Sequence, residues 1–213
     1  MIVTLFFAIV WVYLFLRDPA TRREMFVIGV LAIVFTPIYL LLAHQQTSGD
    51  VALLDFLFSF LFAGVAAVAF HALFGKRYRV QHKTRLPFKK PAEHWFLQLF
   101  LIALTWAWLA IALLFLLHTN SVQSVVAAGL LVGSYMIASR KDLFWDALWS
   151  GALMASVFFF LYVATFIRDL HQLSAPFFLN IPSDTLLLSA TLGFVLGPLY
   201  EYVRGFKLKN RHR

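Results

Sequence analysis

Long apolar runs separated by short polar stretches dominate the chain. The runs cover residues 1–16, 25–43, 51–74, 95–117, 121–139, 143–167 and 184–203. A helix needs roughly 20 apolar residues to cross the hydrocarbon of a bilayer. The first run is short and starts at the interface; the other six meet the requirement. The runs are continuously apolar and do not alternate, so the pattern predicts helices rather than strands. The expected fold class is all-α: a polytopic membrane protein of seven transmembrane helices. The first run lacks a basic leader and is expected to be a retained helix rather than a cleaved signal peptide.

The polar stretches give a direction. Of the 18 Lys and Arg residues, 17 fall between runs one and two, three and four, five and six, or after run seven. The remaining one is Arg168. The positive-inside rule then places the N-terminus out and the C-terminus in the cytoplasm. The longest basic stretch, 75–94, is expected to be a cytoplasmic connector near anionic lipid headgroups, with no role in nucleic-acid binding. The expected location is a prokaryotic inner or plasma membrane, crossed several times.

Two pairs of segments resemble each other. Arg22-Arg23-Glu24-Met25-Phe26 opens run two, and Arg140-Lys141-Asp142-Leu143-Phe144 opens run six. Phe70-His71-Ala72-Leu73-Phe74-Gly75 closes run three, and Tyr200-Glu201-Tyr202-Val203-Arg204-Gly205 closes run seven. The pattern predicts a single membrane domain built as a parallel 3+1+3 repeat. Residues 1–78 form the first three-helix copy, 79–120 the basic loop and linker helix, and 121–213 the second copy. Gly129 with Gly133, and Gly193 with Gly197, give GxxxG spacings that let helices approach closely.

Composition narrows the chemistry. Hydrophobic residues make up 62% of the 213 residues and charged residues 13%, and there is no cysteine. Thiol catalysis and Cys-ligated metals are therefore excluded. Run seven has no central Lys for a retinal Schiff base. No HExxH, P-loop or GxSxG motif occurs, and the histidines form no metal-ligand pattern in sequence. No cofactor and no metal are expected.

Ionisable residues inside apolar runs are costly, which makes them candidates for function. Asp55 and Asp184 lie near the outer ends of runs three and seven; His71 and Glu201 lie at their inner ends. Asp146 lies one turn into run six. Each has a plain structural reading. Ser183-Asp184 after Pro182 is a helix-start signal. Glu201 can pair with Arg204 or another inner-face cation, and Asp146 with Arg140, Lys141 or a neighbouring helix. His71 can be a hydrogen-bonding residue of the core. The functional reading makes Asp55 and Asp184 a catalytic pair that protonates an apolar substrate. Phe56, Phe58, Thr185, His71 and Glu201 would then contact that substrate.

Ile181-Pro182-Ser183-Asp184-Thr185-Leu186-Leu187, running to Gly197-Pro198-Leu199-Tyr200-Glu201, resembles the integral-membrane lycopene cyclase family and its uncharacterised bacterial relatives. Leu53-Leu54-Asp55-Phe56-Leu57-Phe58 is the first-half counterpart. The resemblance implies a carotenoid or isoprenoid substrate. It also implies acid-catalysed cyclisation through a carbocation without net redox change, the reaction of an isomerase. Asp184 matches the first acid of the family's pair, and Thr185 stands at the second. Asp55 matches one acid of the other pair, and Leu54 stands at its partner. Two alternatives follow from the same pattern. One is a small-solute transporter on the SWEET-like 3+1+3 plan; the other is a non-catalytic membrane partner or pigment binder. The sequence sets no oligomeric state.

Overall fold

A computed structural model describes residues 2–44, 53–74, 77–80, 95–168 and 183–209. Seven α-helices form among them: α1 (Ile2–Arg17), α2 (Arg22–His44), α3 (Leu53–Phe74), α4 (Trp95–Leu117), α5 (Ser121–Ser139), α6 (Phe144–Arg168) and α7 (Ser183–Arg204). All begin and end within three residues of the apolar runs. Five are long and apolar enough to cross a membrane: α3, α4, α5, α6 with the 3-10 turn before it, and α7. Val3–Arg17 of α1 is a shorter apolar helix.

A two-stranded ribbon was not expected from the apolar pattern. Strand β1 (Arg77–Val80) pairs antiparallel with β2 (Phe206–Lys209), in the register Arg77↔Lys209 to Val80↔Phe206. It ties the segment after α3 to the segment after α7. Most of the 75–94 connector, the loop 169–182 and residues 210–213 lie outside the described residues.

The helices turn where the local chemistry stops them. Asn120 caps α5, its side chain accepting a hydrogen bond from the Gln123 amide at 2.8 Å, which satisfies one of the unpaired donors of the first turn. Arg22 reaches back from α2, and its Nε donates to the Phe15 carbonyl at 2.6 Å. That closes the α1–α2 corner over the end of α1. At the other extreme α7 ends on Gly205, whose φ of 65° is the left-handed conformation a helix terminus favours in glycine.

Helices α3 and α7 form the centre. Leu61–Val68 of α3 and Val195–Glu201 of α7 are buried all round, as expected of core helices. Helix α2 lies against α3, and α6 against α7; α1 packs on α3 and α5 on α7 in matching fashion. Helix α3 also meets α7 and α6 directly, and α4 packs chiefly on α5. The outside is apolar: Leu5, Leu16, Trp108, Leu116, Tyr135 and Phe160 are all exposed. Polar residues are instead inside, among them Glu24, His71, Arg140, Asp146, Ser150 and Glu201. That inverted distribution fits a bundle whose solvent is lipid.

The α6–α7 contact is close because glycines permit it. A Cβ on Gly193 would lie 2.5 Å from the Ser150 carbonyl oxygen, and one on Gly197 would overlap the Ser150 side chain. On the other face of α7, Thr191 and Phe194 fill the space beside Gly129 and Gly133 of α5. Both GxxxG pairs therefore sit at helix contacts. The substitution Gly193→Ala is expected to cost about 1–3 kcal/mol through overpacking against α6, and Gly193→Val more. Thermal unfolding of the purified protein in detergent measures both, and unchanged stability in the valine variant would contradict the packing described.

Candidate cation and proton site

Four ionisable side chains from four helices converge at one end of the bundle. Helix α2 contributes Glu24 from its first turn and α3 contributes His71 from its last. Helix α6 contributes Asp146 from its first turn and α7 contributes Glu201 from its last. The up-and-down course of the chain brings two helix starts and two helix ends to the same level. All four are shielded, with relative exposures of 1% for Glu24, 4% for His71 and 0% for both Asp146 and Glu201.

His71 stands at the centre of the group. Its Nε2 is hydrogen-bonded to Glu201 Oε1, and Asp146 Oδ2 lies 4.0 Å from the same nitrogen. Ser150, one turn along α6, donates to Asp146 Oδ1 at 3.3 Å. Ligand-bearing atoms of Glu24, His71 and Glu201 all lie within 4.8 Å of one another. Glu201 Oε2 is buried without a hydrogen-bond partner among the described residues.

Arg140 fixes the end of α7 that carries Glu201. Its guanidinium donates to the Glu201 main-chain carbonyl at 2.7 Å and to the Phe206 carbonyl at 2.7 Å. The same group forms a 2.7 Å ion pair with Asp142, so its charge is already matched when it reaches the helix end. Arg204 does not pair with Glu201, as the sequence had implied. Its guanidinium lies over Trp95, 5.2 Å from the ring centroid, and over Phe206 at 5.2 Å, while Arg23 sits 5.3 Å from the Trp95 centroid. The two arginines flanking Trp95 are thereby held by aromatic faces rather than by the buried acids.

Three carboxyl groups in an apolar bundle cannot all stay ionised without compensation, because desolvation costs several kcal/mol per ion. A proton or a metal cation can contribute to that compensation, and both can be accepted by the same oxygens. The chemistry this geometry permits is reversible occupation of one buried site by protons or by cations.

The residues singled out near the other end stand apart from this cluster. A cavity of about 420 Å³ lies among α2, α3, α4, α5, α6 and α7, with Asp55, Phe58 and Thr185 in its wall. Thr36, Ser59 and Ser189 are its other polar lining residues, set among Phe35, Phe62, Trp106 and Phe158. Phe7 interlocks with Phe62 and Phe158 of that wall, with ring centroids 5.4 Å apart for Phe7–Phe62 and 5.4 Å for Phe62–Phe158. Phe56 is half-buried, and Asp184 is exposed; neither is in the cavity wall. The wall reaches Leu199, two residues before Glu201, and Ala63, eight residues before His71. On α3 that leaves about 12 Å of helix axis, filled by the fully buried Ala66, Ala67 and Val68.

Glu24 was not among the residues the sequence marked for function, and Asp146 was given a structural role. The signal was present: Glu24, Asp146, His71 and Glu201 all fall at the same ends of their apolar runs, opposite Asp55 and Asp184. Reading acids by bundle end rather than by run would have grouped them.

A family model described as "Sodium/hydrogen exchanger, transmembrane" matches residues 20–211. No curated protein and no solved structure matches the chain. The family match overturns the lycopene cyclase resemblance, and with it carotenoid biosynthesis, isomerase chemistry and a carotenoid or isoprenoid substrate. That resemblance rested on short Pro-, Leu- and Phe-rich helix segments that apolar spans of different families share. The transporter alternative lies closer to the match.

The His71–Glu201 pair is expected to couple in stability. His71→Leu leaves a buried carboxyl group without its partner and should cost about 3–5 kcal/mol. The double variant His71→Leu/Glu201→Leu should cost less than the sum of the single changes by more than about 1 kcal/mol. A double-mutant cycle of thermal unfolding tests this, and additive losses would show that the two side chains do not interact.

Proposed function

The chain belongs to the sodium/hydrogen exchanger transmembrane family, and from that we propose that it exchanges a sodium ion for a proton at Glu24, His71, Asp146 and Glu201. The observation that carries this reading is the burial of those four groups together, with His71 bonded to Glu201. One proton serves the His71–Glu201 pair, whichever atom holds it. When that proton leaves, Glu201 becomes a carboxylate able to ligate sodium together with oxygens of Asp146 and Glu24. Oxygen ligands suit a hard cation. Proton and sodium then compete for the same oxygens, so binding one releases the other.

Coupling follows from electrostatics. The empty, deprotonated cluster carries more negative charge than either filled state inside an apolar bundle and is the most costly of the three. A bundle that changes access only when the cluster is neutralised exchanges one cargo for the other and does not leak. The cavity lined by Asp55 is the aqueous approach from the opposite face, and Asp184 adds negative charge at its mouth. Alternating access then requires the plug at Ala66–Val68 of α3 to yield, through movement of one group of helices against another.

This reading uses seven spans, with α1 and α2 crossing beside the five longer apolar helices. It places the N-terminus outside, the C-terminus inside and the protein in a prokaryotic cell membrane, so the cluster lies towards the cytoplasm. The 17-to-1 division of basic residues supports that direction. The parallel 3+1+3 repeat within one domain is supported by the matching packing of α1–α3 and α5–α7. The bond between His71 and Glu201, 130 residues apart, joins equivalent positions of the two copies.

Proteoliposomes containing the purified protein and a trapped pH indicator test the proposal. A sodium gradient should drive proton movement in the opposite direction, and Glu201→Gln should reduce the rate at least about tenfold while the protein remains folded. Folded wild-type protein that moves no protons in response to sodium would overturn the reading.

A further inference from the structure

We propose that the Glu24–His71–Asp146–Glu201 cluster also binds a divalent transition-metal cation of the zinc class. The inference rests on the reading of this cluster as a cation site and extends it to a second class of cargo or blocking ion.

The ligand set carries the argument. An alkali cation coordinates oxygen and gains little from an imidazole nitrogen. Here the nitrogen is central: Nε2 of His71 is bonded to Glu201 and faces Asp146 Oδ2 at 4.0 Å. One histidine with two or three carboxylates is a donor set suited to borderline divalent ions such as zinc.

Geometry permits the ion with small movements. Ligand atoms around a tetrahedral zinc at about 2.0–2.2 Å stand roughly 3.4 Å apart. Those of Glu24, His71 and Glu201 already lie within 4.8 Å of one another, so side-chain rotations of about an ångström complete the site. Glu201 Oε2 is fully buried and has no hydrogen-bond partner among the described residues, which leaves a donor pair ready beside the imidazole. The surroundings orient the ligands from behind. Ser150 engages Asp146 Oδ1, leaving Oδ2 towards His71, and Arg140 holds the main-chain carbonyl of Glu201. Such outer contacts are what fix metal ligands in place.

Binding is coordination alone: no ligand is oxidised or reduced.

The test uses full-length protein in detergent, stripped with a chelator, with cobalt(II) as a visible probe. One cobalt per chain should produce the intense d–d absorption of a four- or five-coordinate site, and zinc should bleach it by displacement. Calorimetric titration should show zinc binding with a stoichiometry of about one per chain. His71→Gln should weaken cobalt binding about 100-fold, and the isosteric Glu201→Gln about tenfold or more, each checked for folding by thermal unfolding. Asp55→Asn, at the other end of the bundle, should leave binding intact. Absence of the band, or a band that survives both cluster substitutions in folded protein, would overturn the site. Sodium-driven proton movement without cobalt binding overturns this inference and leaves sodium exchange standing. Cobalt binding in a protein that moves no protons in response to sodium does the reverse.

Discussion

A histidine and a glutamate, bonded to each other inside an apolar bundle, set the terms for the rest of the molecule. His71 ends α3 and Glu201 ends α7, so their bond fixes the two central helices at one level. It also imposes a constraint. The pair and its neighbours Glu24 and Asp146 have little access to water, and removing charges from water is expensive unless they are matched. Protons or cations bound at the cluster would contribute to that matching, as the proposed exchange requires. Glycines bring α6 against α7, which places Asp146 and Ser150 beside the pair. Arg140 locks the end of α7 through main-chain carbonyls, a contact that leaves the Glu201 carboxyl group free for other partners.

The bundle has two unlike ends. One carries the dry acidic cluster; the other opens into a cavity with an apolar wall and a few polar groups, Asp55 among them. Between them Leu61–Val68 of α3 and Val195–Glu201 of α7 are buried, with Ala66, Ala67 and Val68 separating the two levels along α3. A solute reaching the cavity meets Asp55 first and the cluster only after the helices shift. This separation is what an exchanger needs, since simultaneous access from both faces would let ions leak down their gradients.

Much of the architecture was legible in the sequence, and the reasons are physical. Continuous apolar runs of about 20 residues have few alternatives to a helix in lipid, and all seven helices appear where those runs lie. The glycine spacings marked real helix contacts. The chemistry was harder to see. Asp55 and Asp184 attracted attention because they interrupt apolar runs, yet Asp184 sits exposed at the start of α7. Glu24 entered the sequence reading only as part of the Arg22-Arg23-Glu24-Met25-Phe26 segment that opens run two. Its burial depends on Arg22 turning back onto α1 and on Arg23 lying over Trp95, which no local pattern reveals. The β1–β2 ribbon joins segments more than a hundred residues apart and has no local signal either. The family likeness misled for a related reason: Leu- and Phe-rich helices look alike whatever they carry, and the informative residues were four scattered ionisable groups.

The central claim is that sodium and protons compete for one buried site. Its most direct test is the addition of sodium to the purified protein in a weakly buffered detergent solution, with a pH indicator reading proton release. The account predicts release of about one proton per chain in wild-type protein, saturating with sodium, and its loss in Glu201→Gln. Sodium that binds without releasing protons, or equal release from the folded Glu201→Gln variant, would contradict it.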